Sequence, residues 1–248
     1  MVKDFQNYKT LILPSKGHLR NVSDYEATGG YKALKDVLAA KESTWTRENV
    51  INEVKTAGLR GRGGAGFNTG LKWSFMPKPD GGKRYIAANG DESEPGTFKD
   101  RVIFEFNPHL FIEGAIIGAY AIQADAVYVY IRGEYRSWIN FMETAIADAY
   151  KAGYLGKNIL GSGVNIDMYV HSGAGAYICG EESSLMESLE GKRGYPRVKP
   201  PFPAQRGLWG RPTTINNIES LANVPLILNM GSANYAAMGA KTHPGPVL

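Results

Sequence analysis

Three stretches of this 248-residue chain carry residue types that can do chemistry with nucleotides. The first runs Gly58-Leu59-Arg60-Gly61-Arg62-Gly63-Gly64-Ala65-Gly66-Phe67 and continues through Thr69-Gly70-Leu71-Lys72-Trp73-Ser74-Phe75. Five glycines in nine positions are a poor way to fill a core, because each loses backbone freedom on folding. They offer a ligand bare backbone to lie against and successive N–H groups that can converge on an anion. Arg60, Arg62 and Lys72 add positive charge, while Phe67, Trp73 and Phe75 add flat apolar faces. Phosphate donors beside aromatic platforms suit the two ends of a dinucleotide. The competing reading is a glycine-rich surface turn between two helices. Residues 47–57 read as a helix with Val50, Ile51 and Val54 on one face, so the strand that opens a Rossmann fingerprint is not there.

The second stretch, Asn89-Gly90-Asp91-Glu92-Ser93-Glu94-Pro95-Gly96-Thr97, puts three carboxylates within four residues. They repel one another, and no histidine or EF-hand spacing accompanies them, so no metal site is expected. As acceptors they suit ribose or ribitol hydroxyls and ring N–H groups; a solvated acidic turn or a helix-capping segment is the alternative. The third stretch is Ser172-Gly173-Ala174-Gly175-Ala176-Tyr177-Ile178-Cys179-Gly180-Glu181-Glu182. It has the order strand, glycine turn, helix, which favours an anion at the helix start. Glu181 and Glu182 would repel a phosphate there. They fit better as acceptors for a heterocycle or sugar, with the phosphate near Lys72, or as ordinary first-turn acids.

The elements that must hold these stretches follow from periodicity. Residues 31–41 read as a short amphipathic helix after a turn-rich segment that wraps the surface. Strands are expected at 84–89, 126–132 and 164–171, with helices at 108–123, 134–152 and 180–190. This alternation argues for a mainly parallel sheet covered on both faces, with ligands bound beyond the carboxyl ends of its strands. Residues 191–212 hold six basic residues, five prolines and no acid, and must be largely extended. They read as a basic interdomain strap or as a ligand-contacting segment, in which Phe202 and Trp209 either cover an adenine or pack on the core. Thr213 to Glu219 is expected to open a further helix, with Asn216 and Glu219 at capping-box spacing. One of the adjacent Asn216 and Asn217 is then left for a ligand, and Pro225 should kink or end the helix.

Hydrophobic content of 43% and charged content of 21% are those of an ordinary globular protein. A balance of 28 basic against 24 acidic residues is too mild to argue for nucleic acid. The single cysteine, Cys179, excludes an internal disulfide or a self-contained cysteine cluster and fits a reducing compartment. No apolar run approaches the roughly 20 residues of a membrane span, and the N-terminus lacks a signal-peptide core. An intracellular protein without membrane insertion is expected.

Taken in order, GLRGRGGAGFxTGLKW, NGDExEPGTxKD, GAGAYICGEE, KPPFPA and PTTINNIE resemble the NADH-binding flavoprotein subunit of respiratory complex I, from about residue 40 to the C-terminus. The same module occurs in diaphorase subunits of NAD-reducing hydrogenases and NAD-dependent formate dehydrogenases. The resemblance implies an α/β, Rossmann-like domain that holds FMN noncovalently, binds NADH and transfers hydride between them. Its FMN contacts would come from Gly61, Gly63 and Lys72 of the glycine loop and from Asn89, Asp91 and Glu92 after the first strand. Tyr177, Gly180 and Glu181 of the third stretch, with Asn216 and Asn217, would complete them. The NADH side would use Gly64, Phe67, Phe75, Glu94, Glu182 and Phe202, and Gly66 belongs to the same loop. Glu94 and Glu182 are the candidates for positioning nicotinamide and tuning the flavin.

By the same resemblance, residues 1–82 form a helical region with the glycine loop, 83–240 the Rossmann-like domain, and 241–248 the start of a ubiquitin-like domain. Longer members continue into a helical domain with a 4Fe-4S cluster, whose ligands this chain lacks, so small artificial acceptors are the most it is expected to reduce. The implied partners are a thioredoxin-like 2Fe-2S subunit and a large iron–sulfur subunit on the cytoplasmic face of a bacterial membrane. A noncatalytic nucleotide-binding or assembly module is the alternative from another class.

Overall fold

The computed structural model describes residues 11–39 and 44–246. The chain opens with α1 (Val22–Ala27), α2 (Lys32–Leu38), α3 (Arg47–Thr56) and α4 (Thr69–Ser74). An alternating part follows: β1 (Tyr85–Gly90), α5 (Lys99–Phe106), α6 (Pro108–Ile122), β2 (Ala126–Ile131), α7 (Arg136–Lys151), β3 (Asp167–Ser172) and α8 (Glu182–Leu189). It closes with β4 (Thr213–Asn217), α9 (Ile218–Ala222), α10 (Val224–Met230) and α11 (Ser232–Ala237).

The four strands form one parallel sheet in the order β3-β2-β1-β4. Val127 of β2 sits in register between Ile86 of β1 and Met168 of β3, and Ile86 in turn faces Thr214 of β4. β1 and β2 are central strands, and their runs IAA and VYVYI are buried except for the half-exposed Tyr128. One sheet face carries the main core, in which α6 is buried along its whole length apart from Tyr120. A helix that is apolar over most of its surface belongs in such a place, and its buried Glu113 accepts from the Tyr31 and Leu34 N–H groups, each at 3.0 Å. Gly114 lets it do so: a Cβ there would come within 1.9 Å of the Leu221 carbonyl oxygen of α9. The other face is covered more thinly. Leu185, Met186 and Leu189 of α8, with Cys179 and Leu208, pack on Ala87, Tyr130 and Ile215.

The expected α/β architecture is therefore present, with local differences, among them the unexpected short helices α1, α4 and α11. Thr213 to Asn217 is a strand rather than a helix start; its β-branched Thr213, Thr214 and Ile215 pair with Tyr85 to Ala87. The helix start moves one residue along, so that Asn217, not Asn216, caps α9 by accepting from the Glu219 N–H at 3.0 Å. α5 was not expected, because the residue that precedes it, Phe98, offers no side-chain cap. The Glu92 carboxylate does this from the loop before, accepting from Asp100 N at 2.8 Å and Arg101 N at 3.3 Å. The third strand begins at Asp167, since Ile166 is bridged to Gly156 in the preceding loop. Pro225 acts as expected and lies in the first turn of α10 after the break at Asn223. The expected end of the 31–41 helix at 40–41 lies outside the described residues.

Candidate functional site

The strand order reverses at β1. The chain leaves β1 through α5 and α6 to β2 on one side, while β4 lies on the other. Ligands of open α/β sheets bind in the crevice at such a point, beyond the strand ends. Here the strand ends are Asn89-Gly90 and Asn216-Asn217, and a cleft with two lobes opens over them. Gly63, Asn89, Gly180, Glu181 and Asn217 line both lobes.

The larger lobe, about 830 Å3, lies between the glycine loop, α4, β4 and the strap around Phe202. The glycine loop is closed at its base by Gly61 N–H donating to Phe67 O and Thr69 N–H to Leu59 O, both at 2.8 Å. Asn68 then caps α4, accepting from Leu71 N at 2.8 Å. Gly63 passes so close to β4 that a Cβ on it would meet Asn217 Cβ at 3.3 Å. Phe67, Phe75 and Phe202 line this lobe and are 45%, 52% and 53% exposed. Three large apolar rings left half in water around one cavity are a surface made to be covered. The Trp73 indole, fully buried, donates from Nε1 to Asn216 Oδ1 at 3.0 Å and so fixes that carboxamide at the lobe floor.

Charges close the rim of this lobe. Lys72 Nζ lies 3.3 Å from Glu182 Oε2; Lys199 Nζ lies 2.5 Å from Glu182 Oε1 and 3.1 Å from Glu181 Oε1. Burial pushes the Glu182 carboxyl up, but Lys72 and Lys199 together outweigh it and hold it below its ordinary value. Glu181 is likewise held low: burial raises it, and bonds from Ser183, Ser184 and Lys199 overcome that. Its carboxylate accepts from Ser183 N at 2.8 Å and Ser184 N at 3.0 Å, so two of the first N–H groups of α8 are already used. An anion would have to go elsewhere, and the lysines at the rim are the cations within the larger lobe.

The smaller lobe, about 440 Å3, is acidic. Asn89 organises it, donating from Nδ2 to Gly180 O at 2.8 Å and accepting from Asp91 N at 3.1 Å. Tyr177 OH donates to Glu94 Oε2 at 2.6 Å across its mouth. Burial pushes the Asp91 carboxyl up to about 6, and its Oδ2 is buried with no partner among the described residues. Beneath lies a charged layer. Asn217 Nδ2 donates to Asp100 Oδ2 at 2.7 Å, and Lys99 Nζ reaches Asp100, Asn217 and Glu219 at 2.7, 2.9 and 3.3 Å. Asp100 is fully enclosed, and that burial pushes its carboxyl up to about 6 despite Lys99.

The structure thus brings the sequence-selected residues to one place. Gly61, Phe67, Lys72, Phe75, Glu182, Phe202 and Asn216 line the larger lobe, and Gly64, Asp91, Glu92, Glu94 and Tyr177 the smaller. Gly66 lines neither lobe and serves the turn, with φ +64°. The Glu92 carboxylate is spent on capping α5, and both ends of the Asn217 carboxamide are engaged, which leaves Asn216 as the asparagine with an uncommitted nitrogen. Sequence reasoning missed Thr69, Lys199, Lys99 and Asp100, although all four stand inside the motifs GFxTGLKW, KPPFPA and GTxKD. For a flavin nucleotide the fit is good: apolar walls for flat rings, bare glycine backbone, and buried unpartnered oxygens on Thr69 and Asp91 for a polar ligand to satisfy.

The Nuo51 FMN-binding domain family model matches residues 54–226. An NADH-quinone oxidoreductase subunit of Rhizobium meliloti is 56% identical over 232 residues, covering 94% of this chain and 54% of that protein. The corresponding NADH-quinone oxidoreductase subunit of Aquifex aeolicus is 53% identical over 233 residues, covering 94% of this chain and 53% of its own length. The chain therefore spans about half the length of the curated relatives it matches. Among solved structures, a chain of the NAD+-reducing [NiFe]-hydrogenase in the air-oxidized state superposes with TM-score 0.72 at 42% identity, over 81% of this chain and 33% of that one.

Proposed function

The chain belongs to the Nuo51 FMN-binding domain family, and from that premise we propose that its two-lobed cleft holds FMN and receives NADH, as part of an NADH dehydrogenase. One observation carries the reading: five segments far apart in sequence line two lobes with a common wall, one aromatic and one acidic. When bound, FMN supplies the ring that accepts hydride from NADH. The protein's own task is placement and electronics rather than acid–base catalysis. Phe67, Phe75 and Phe202 offer stacking faces for the adenine. Lys72 and Lys199 exchange their glutamate partners for a phosphate, and Glu182, thereby released, is positioned toward the nicotinamide. Glu94, held by Tyr177, faces the other lobe and tunes the flavin from there.

Electrons leaving the flavin would then be taken up by iron–sulfur centres outside this chain. We assign these to a thioredoxin-like 2Fe-2S subunit, a large iron–sulfur subunit and the 4Fe-4S domain of longer family members, at the cytoplasmic face of a bacterial membrane. The presence of relatives named as subunits of NADH-quinone oxidoreductase supports this, and among the described residues no single helix is long and apolar enough to cross a membrane. The likeness to the NAD+-reducing hydrogenase favours a second reading, a diaphorase running the same hydride step toward another redox partner. Higher identity to the quinone oxidoreductase subunits supports the first reading over it. The deciding experiment adds FMN to the purified chain, removes excess and records the absorbance spectrum before and after NADH. Retained flavin bands that bleach with NADH are expected. A chain that retains no FMN, or whose flavin ignores NADH, would be a noncatalytic module instead.

A further inference from the structure

Thr69 is the first residue of α4, and it is 1% exposed on the wall of the larger lobe. Its Oγ1 is buried and has no hydrogen-bond partner among the described residues. A threonine at a helix start commonly spends its hydroxyl on the backbone. Here Asn68 is the cap, so the Thr69 hydroxyl is not needed for it. Burying an unpaired hydroxyl costs free energy that a valine of the same shape would avoid. Native proteins keep few such groups, and each calls for an explanation.

The neighbours supply one. Lys72 and Trp73 lie three and four residues along α4, on the same helix face as Thr69. Trp73 commits the oxygen of the Asn216 carboxamide, which leaves its nitrogen as the end open to a ligand. Lys72 reaches the lobe rim. One short helix therefore sets a hydroxyl, an amide nitrogen and an ammonium around a cavity whose lining also includes Phe67, Phe75, Phe202 and bare glycine backbone. We propose that the Thr69 hydroxyl is a recognition group for the flavin nucleotide, donating to one of its oxygens, a ring carbonyl or a ribityl hydroxyl. This inference rests on the FMN reading above. With no protein partner among the described residues, the hydroxyl is free to make that bond.

Thr69→Val and Thr69→Ser separate this role from a structural one. Binding is followed by quenching of FMN fluorescence, and stability by thermal melting with and without FMN. Thr69→Val should weaken FMN binding about tenfold, the usual loss for one buried hydrogen bond. The same variant should melt no lower than the wild type when FMN is absent, and should gain less from adding FMN. Thr69→Ser, which keeps the hydroxyl, should bind FMN within about threefold of the wild type. Equal FMN affinity in Thr69→Val and wild type would overturn the proposal while leaving the FMN reading intact. So would a lower melting temperature of ligand-free Thr69→Val, since the hydroxyl would then be serving the fold. Failure of the wild type itself to bind FMN would overturn both.

Discussion

The two lobes of the cleft share a wall but are built on opposite principles. The larger one is lined by phenylalanines, and its charges, Lys72, Lys199, Glu181 and Glu182, neutralise one another at the rim. The smaller one gathers Asp91, Glu92, Glu94 and Asp100 beside Lys99 and Arg62. The first can grip a flat ring by desolvation and stacking, which changes little with pH. The second holds two carboxyls that burial pushes up to about 6, so its charge changes within the physiological range. Affinity and titration are thereby lodged in different walls of one cleft.

The largest effect should come from the wall common to both. Gly63→Val puts a branched side chain where a Cβ alone already meets Asn217 Cβ at 3.3 Å. It should cost about 1–3 kcal/mol in both FMN and NADH binding, measured by titrating each ligand separately. Loss of one ligand alone would show that the lobes do not share this wall in function. Next comes the aromatic lobe. Phe202→Ala should weaken NADH by about 1–2 kcal/mol with FMN retained, by the same factor on either side of pH 6. A pH-dependent loss would place an ionising group beside the ring.

In the acidic lobe, Asp91→Asn should weaken FMN up to about tenfold above pH 6 and hardly at all below it, because the wild-type carboxyl is then protonated too. The phosphate of FMN titrates equally against both proteins, so the ratio of their dissociation constants isolates Asp91. A flat ratio would remove Asp91 from the site. Stability has its own sign. A carboxyl raised from its ordinary value to about 6 contributes stability that is present below about pH 3.9 and lost as pH rises through about 6. Asp91→Asn should therefore melt higher than the ligand-free wild type at pH 8 and converge with it at low pH. The smallest effect is expected of Glu94→Gln, whose partner Tyr177 is exposed. It should shift NADH affinity or flavin potential by no more than about 1 kcal/mol, with FMN still bound; stopped-flow reduction identical to the wild type would deny Glu94 its tuning role.

Several features were legible in the residues. The central strands were, because AVYVYI has no other stable use than a buried strand, and so was α6, whose Pro108 start and apolar length mark a core helix. The glycine loop stood out as a candidate ligand-facing segment from composition alone, and Gly61, Gly63 and Phe67 do line the cleft. β4 was not, because Thr213 to Asn217 is five residues long and ends in asparagines that look like caps; only its pairing with β1 makes it a strand. α5 stayed hidden because its cap, Glu92, comes from the loop before it. That same contact engages both oxygens of the Glu92 carboxylate in the fold while the residue still lines the smaller lobe.

By itself the sequence determined which chemistry is available: glycine backbone, aromatic faces, acids and lysines in five short motifs. Those are local properties, set by residue type and close spacing. Tertiary structure decided which of them remain free. It joined Lys72 and Lys199 to Glu182, turned Glu92 and Asn217 inward, and left Thr69 Oγ1 and Asp91 Oδ2 without partners among the described residues. Partners more than a hundred residues apart meet only once the sheet has fixed its strand order, and hydrogen-bond satisfaction and burial have no value until they do.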